Sequence, residues 1–282
     1  VADSRLIRSR RGPVTYVLRV LVVLYLFLLV AWPVSLVADR AFRATGNHEG
    51  GLGPFLERLS DPATVYAFNL TITVAIWAVI ANTVFGVGIS LLLVRYRFVG
   101  RRVLSVLVDL PLSVSPVVVG LALVLAYSST QGWFGSTLET VGLQVIFSTP
   151  GLVLATAFVS LPLVVREVVP VLEEIGTDAE QAARSLGANG RQVFWRITLP
   201  SIKWAVVYGV VLTSARSLGE FGAVKIVSSG AEFRGETATL FVHNHYQAFD
   251  EPAAYAAALV LVLISIIALV VVTYLRPKEE RA

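Results

Sequence analysis

The chain has 282 residues, 56% apolar and only 15% charged, against about 25% charge in an ordinary soluble domain, and its mean hydropathy is +0.75. So few polar side chains cannot cover a soluble globule of this size, which excludes that class together with disorder and a collagen-like repeat. The absence of cysteine excludes a disulfide scaffold, a cysteine-ligated metal site and a cysteine nucleophile.

What remains is a polytopic membrane protein, and the charge-free runs mark its spans. A helix needs about 20 apolar residues to cross ~30 Å of hydrocarbon. The first run, 20–38, is longer than a signal-peptide core and is not followed by an Ala-x-Ala site, so a retained helix is expected. The expected organisation is a tail 1–15, a first span 16–38 and a loop 39–65. Runs 62–94, 110–138, 140–165 and 252–275 supply four more spans, and 204–228 a sixth that is apolar apart from Arg216, Glu220 and Lys225. The runs are continuous rather than alternating, so helices fit and a β-barrel does not. Span three carries Pro111 and Pro116, with Asp109 entering it. Ser113 and Ser115 lie beside this expected kink, where they either line a polar path or bond back to their own helix. Span four carries Pro150 and Pro162 and is expected to bend.

Lysine and arginine are sorted unevenly between the spans. Arg5 to Arg11, Arg95 to Arg102, Arg166 to Lys203 and Arg276 to Arg281 place sixteen on one side, while Arg40, Arg43, Arg58 and Arg234 place four on the other. The positive-inside rule puts both termini and segment 166–203 in the cytoplasm. The net charge of +4 follows from this bias and is accounted for by anionic lipid, so no nucleic-acid partner is called for.

Segment 173–200 is the one polar stretch long enough to be structured outside the membrane. Thr177 and Glu180 have the spacing of a capping box. A short helix should follow through Gln181, Ala182 and Ala183 to Ser185, with Gly187 as a left-handed cap. Asn189 is placed to cap a second short helix reaching Ile197, before Pro200 opens the next span. This is either a docking element or a well-capped loop without a partner.

Arg216 and Glu220 are four apart, on one helical face, about 20 Å along the axis from Lys203. Pairing relieves the cost of charge at that depth, about 2.5–3.5 kcal/mol for an unpaired group. The pair either faces a polar path through the membrane, as a contact or a gate, or locks the helix to a neighbour. Lys225 can snorkel outward. His243-Asn244-His245 lacks an evident third metal ligand and reads as an exposed loop, so no metal site is expected. Neither a G-x-S-x-G elbow nor a G-x-x-x-x-G-K-[ST] loop occurs, so the chain carries no nucleophile-elbow hydrolase site and no P-loop for ATP.

Ala182-Ala183, Gly187 and Ile197-x-Leu199-Pro200 resemble the EAA loop of ABC importer permeases, with Gln181 in place of the leading glutamate and Glu180 one position earlier. Stretches 108–120, 161–178, 194–204 and 208–229 are similar to permease subunits of sulfate/thiosulfate importers, most of all to the W-type subunit. The resemblance covers about 66–274. It implies an all-α type I (MetI-like) permease fold of six transmembrane helices, with coupling loop 173–200 and a tail 275–282. Coupling would fall to Glu180, Gln181, Ala182, Ala183, Gly187, Ile197, Leu199 and Pro200, and the path or gate to Arg216, Glu220, Ser113 and Ser115. It further implies no catalysis and no cofactor in this chain, with ATP and Mg on partner ATPase subunits. The other implied partners are a second, T-type permease, a sulfate-binding protein and membrane lipid, in a bacterial cell membrane. Molybdate as substrate and ion-coupled secondary transport are the alternatives.

Overall fold

A computed structural model of the chain describes residues 13–43, 50–130 and 132–275, and nearly all of them are helical. The tail expected at 275–282 falls beyond the described residues except for Leu275. The first span is longer than expected. It runs from α1 (Pro13–Leu26) through a π turn at Phe27–Ala31 into α2 (Trp32–Phe42), so it absorbs Asp39 and Arg40. Within the expected loop lies a helix, α3 (Leu52–Ser60), which turns Phe55 onto the Phe42 ring at 4.6 Å and leaves Leu52 and Leu56 outward.

α4 (Pro62–Arg95) matches the second apolar run and extends about 51 Å at 1.5 Å per residue. Asp61 starts it by accepting from Ala63 N at 3.0 Å, and Pro62 lies in its first turn. Span three is not one kinked helix. α5 (Arg101–Ser113) and α6 (Pro116–Tyr127) meet at an angle of 117°. Pro111 is tolerated inside α5. The break comes at Ser115, which is extended (φ −59°, ψ 134°) because it precedes Pro116.

Span four is displaced from 140–165 to α8 (Thr149–Ile175), after a short α7 (Gly135–Thr140). Pro150 falls in the first turn of α8, and the helix is unbroken through Pro162 and Pro170. Charge alone set the expected boundary, but Arg166 is held inside the helix by Asp109 of α5, at 3.0 Å. Arg166 therefore does not belong to the polar segment counted for topology.

After α8 come α9 (Asp178–Ser185), α10 (Gly190–Val193), a π turn at Phe194–Thr198 and α11 (Leu199–Leu218). The second loop helix and the fifth span are thus one continuous helical path, and Pro200 falls in its first regular turn after the π turn. The fifth span then breaks at Gly219–Phe221 before α12 (Gly222–Val227). α13 (Ala238–Gln247) and α14 (Glu251–Leu275) complete the chain.

Five helices are long and apolar enough to cross a bilayer, or six where the bent pair α5 and α6 is counted as one span. The packing supports counting that pair. Leu104 and Val108 of α5 pack with Leu93 and Val165 near the end that carries the α8–α11 loop. Val119 and Leu123 of α6 pack with Leu70, Ile146 and Val227 at the far end. The centre is a three-helix seam of α4, α8 and α11, where Val164 is sandwiched between Gly86 and Gly209. Small residues allow this close approach, as in membrane helix pairs generally.

Candidate functional site

At the loop end, Glu180 does not complete a capping box with Thr177, which makes no side-chain cap. A partner distant in sequence takes the carboxylate instead. Arg95, at the end of α4, donates from Nε to Glu180 Oε1 at 3.1 Å. The same guanidinium donates to Leu172 O at 3.0 Å and to Gly176 O at 2.7 Å. Thr198 of the π turn donates to Glu180 Oε1 at 3.0 Å, while Thr177 Oγ1 accepts from Gln181 Nε2 at 2.7 Å. One buried arginine thus ties together the end of α4, the end of α8 and the loop. Between loop and α4 lies a recess of about 470 Å³ whose lining includes Arg95, Tyr96, Arg184 and Phe194.

Gly187 caps α9 as its position suggests. Its φ is +87°, and Gly187 N→Arg184 O and Ala188 N→Ala183 O, both 3.0 Å, form the two bonds of a Schellman motif. Asn189 caps α10 and exchanges bonds with Gln192 in a full capping box that sequence reading did not identify. The loop's outward surface is Gln181, Ala182, Gly187 and Leu186, the last 89% exposed. Ala183, Ile197 and Leu199 are half-buried, with Leu199 against the Val87–Leu172–Ile202 cluster, and Pro200 is exposed. Glu180, in contrast, is buried and faces inward, so its place is as the loop's anchor and not as an external contact.

A Cβ at Gly187 meets nothing within 4 Å, so substitution there tests backbone conformation alone. Gly187→Val is expected to cost about 1–2 kcal/mol of loop stability through its positive φ. Gly187→Asn should cost less, because asparagine tolerates that region. Thermal unfolding midpoints falling in the order Gly, Asn, Val would bear this out, and equal midpoints would contradict it.

The other candidate residues meet where two helices break. Arg216 Nη1 is 2.6 Å from Glu220 Oε2, but the two are not on one continuous helix, since α11 ends at Leu218. Glu220 lies in the break, 3% exposed. Its Oε1 accepts from Ala223 N at 3.0 Å, starting α12, and its backbone carbonyl accepts from Thr239 Oγ1 at 2.7 Å. The break of span three lies alongside, with Pro116 Cβ only 2.9 Å from where a Cβ on Gly222 would be. Ser113 and Ser115 flank that break and are exposed. The two breaks thus lie side by side at Pro116 and Gly222, with Ser115 in one and Glu220 in the other.

Residues 82–281 match the family described as binding-protein-dependent transport system inner membrane component. The chain belongs to this family. Among the relatives of this inner membrane component is the sulfate transport system permease protein CysW of Synechococcus elongatus, 46% identical over 92% of this chain and 88% of that one. CysW of Escherichia coli K12 is 46% identical over 82% of this chain and 79% of its own length. The sulfate transport system permease protein CysT of Synechocystis is 33% identical over 93% and 89%. The fold matches a crystal structure of a bacterial ABC transporter involved in the import of the acidic polysaccharide alginate, with a TM-score of 0.75, 17% identity and 94% coverage of both chains.

Two features of this inner membrane component escaped the sequence reading. One is Arg95, which reads there as a topology marker. Its role depends on partners 77 to 85 residues away. The other is a buried polar seam in which Asn82 Nδ2 donates to Ser160 Oγ at 2.8 Å and Ser217 Oγ lies 3.5 Å from the same atom. The i, i+4 pairs Thr156/Ser160 and Thr213/Ser217 were its signal, two hydroxyl stripes on spans that are otherwise apolar. His243 and His245 belong to α13 and not to a loop. His245 Nδ1 is 2.8 Å from Asp250, and among the described residues no group of three His, Cys, Asp or Glu could hold a metal.

Proposed function

We propose that this chain is the W-type permease subunit of an ATP-driven sulfate importer. The observation that carries the reading is its likeness, over most of its length, to proteins named CysW, in a chain whose α8–α11 loop is tied to the ends of α4 and α8 by Arg95. The loop faces the cytoplasm, as the arginine distribution argues, and the termini lie on that side. ATP and Mg belong to a partner ATPase, since the sequence has no P-loop of its own. Leu186 and the exposed face of α9 dock on that ATPase, and its closure is transmitted through Glu180 and Arg95 to α4 and α8. A homologous T-type permease completes the path. α1 fits that assembly: from Tyr16 to Trp32 each large apolar side chain is about half exposed or more, leaving this helix free to pack on another subunit or on lipid.

Alternating access follows from a loop that moves with the ATPase and spans that are already broken at mid-depth. A loaded binding protein delivers sulfate to the far end, and the Arg216–Glu220 pair opens and closes the way between them. The test is labelled-sulfate uptake by bacteria lacking their own W-type subunit and expressing this chain, with thiosulfate and molybdate as competitors. Restored, ATP-dependent uptake blocked by thiosulfate is the expected result. Uptake that survives ATP depletion and collapses with the ion gradient would mean secondary transport. Failure to restore uptake, despite membrane expression and co-purification with the ATPase, would overturn the sulfate reading and shift it toward molybdate.

A further inference from the structure

We infer that Lys225 and His243 form a first binding site for the tetrahedral dianion at the far end of the path. This rests on the importer reading above and adds to it a site that neither loop nor gate contains. Lys225 Nζ meets His243 Nε2 directly. The His243 ring lies 5.1 Å from the Phe221 ring, and Lys225 Nζ lies 5.3 Å from the same ring. Two nitrogen-bearing groups thus converge over one aromatic face, and Lys225 is exposed.

The pair lacks a carboxylate counter-charge among the described residues. Arg40 is set against Glu251 at 3.6 Å, Arg43 against Asp39 at 2.8 Å and Arg216 against Glu220. Among the described residues, Lys225 instead meets an imidazole and a ring. An ammonium that donates one N–H to the imidazole Nε2 keeps its charge and two further donors, which an oxyanion can accept.

The position of the pair is as informative as its charge. On α13, Thr239 bonds the Glu220 carbonyl and His243 follows one turn later on the same face. On the facing segment, Glu220, Phe221 and Lys225 follow in order. One strip therefore leads from the Lys225–His243 pair at the rim to the Arg216–Glu220 pair in the break. Glu220 in the break is already committed to Arg216 and Ala223 N, and the buried Glu236 beside α13 accepts from Asn244 Nδ2 at 2.6 Å. Lys225 at one end of the strip and Arg216 at the other supply the positive charge that draws an oxyanion inward.

The test uses the assembled importer in vesicles, supplied with saturating loaded binding protein. Lys225→Gln should lower sulfate uptake about tenfold, the order expected for one charge-assisted contact. Lys225→Arg should retain most of it, and Arg43→Gln, a matched cation at the same end, should leave it unchanged. Basal ATP hydrolysis should be unaltered throughout. Because the chain has no cysteine, Tyr246→Cys, one turn beyond His243 on α13 and exposed, gives a single reporter that leaves the Phe221 ring in place. Sulfate, and not chloride, should slow its labelling by a thiol reagent, and adding Lys225→Gln should abolish that protection. Uptake by Lys225→Gln within about twofold of the parent, or labelling indifferent to sulfate, would overturn the site while leaving the importer reading intact. A parent that moves no sulfate, but whose reporter is protected by molybdate, would overturn the substrate and keep the site.

Discussion

Arg95→Ala should uncouple this permease. The side chain is about one-tenth exposed, as is its partner Glu180, and it makes three bonds that no other residue duplicates. Removing it leaves a carboxylate buried with only Thr198 for company, and breaking a buried pair in this way costs about 3–5 kcal/mol. The free carbonyls at Leu172 and Gly176 add to that. The cost falls on the attachment of the loop rather than on the three-helix seam, so the protein should still reach the membrane and still bind the proposed partner ATPase. Uptake should fall by more than about tenfold, while ATP hydrolysis continues without being matched by transport. Arg95→Lys keeps a charge for Glu180 but cannot reach three acceptors with a planar fork, so its rate should fall between the two. Parallel measurement of uptake and hydrolysis in vesicles checks both variants. Equal loss of the two activities would mean that Arg95 serves assembly and not coupling.

Gly86→Leu should destabilise the chain more than any substitution on its surface. A Cβ there would lie 2.8 Å from both Cβ and Cγ1 of Val164, a residue fully buried in the seam. Val164 cannot retreat, since a Cβ on Gly209 would lie 3.0 Å from its Cα on the other side. Helices α4 and α8 must therefore separate, at a cost of about 1–3 kcal/mol or somewhat more for the larger side chain. For a chain of this size that corresponds to a fall of roughly 2–12 °C in the unfolding midpoint. Gly88→Leu is the control, because a Cβ at Gly88 meets nothing within 4 Å and carries the same loss of glycine. Thermal unfolding in detergent separates them, and equal midpoints would show that the close approach at Val164 is not what holds the seam.

Much of the fold was legible because membrane spans are written in composition. α4 and α14 begin and end within a residue of the apolar runs that announce them. The caps at Gly187 and Asn189 were legible because they are local, each settled within five residues. The reading failed wherever a distant partner decided the outcome. Thr177 and Glu180 have the spacing of a capping box, yet Arg95, 85 residues away, offers the carboxylate a stronger bond. Arg166 looked like the start of a loop because a lone charge ends an apolar run, whereas Asp109 makes it tolerable within α8. The breaks at Ser115 and Gly219 belong to the same class. A proline or glycine marks where a helix is able to stop, but the packing of Pro116 on Gly222 decides that both stop together. The Arg216–Glu220 contact was expected from its spacing, and it formed through a break rather than along a helix.

In the proposed mechanism, ATP closure reaches the membrane helices through the Glu180–Arg95 anchor. The most direct measurement is the ratio of sulfate moved to ATP hydrolysed, in vesicles containing the complete importer. The parent chain is compared with Arg95→Ala, Glu180→Gln and the double variant. If the anchor is the route, each single variant lowers the ratio strongly and the double variant lowers it little further, since both changes break one contact. If the ratio stays at the parental value while the contact is gone, force travels by another path and the account is wrong.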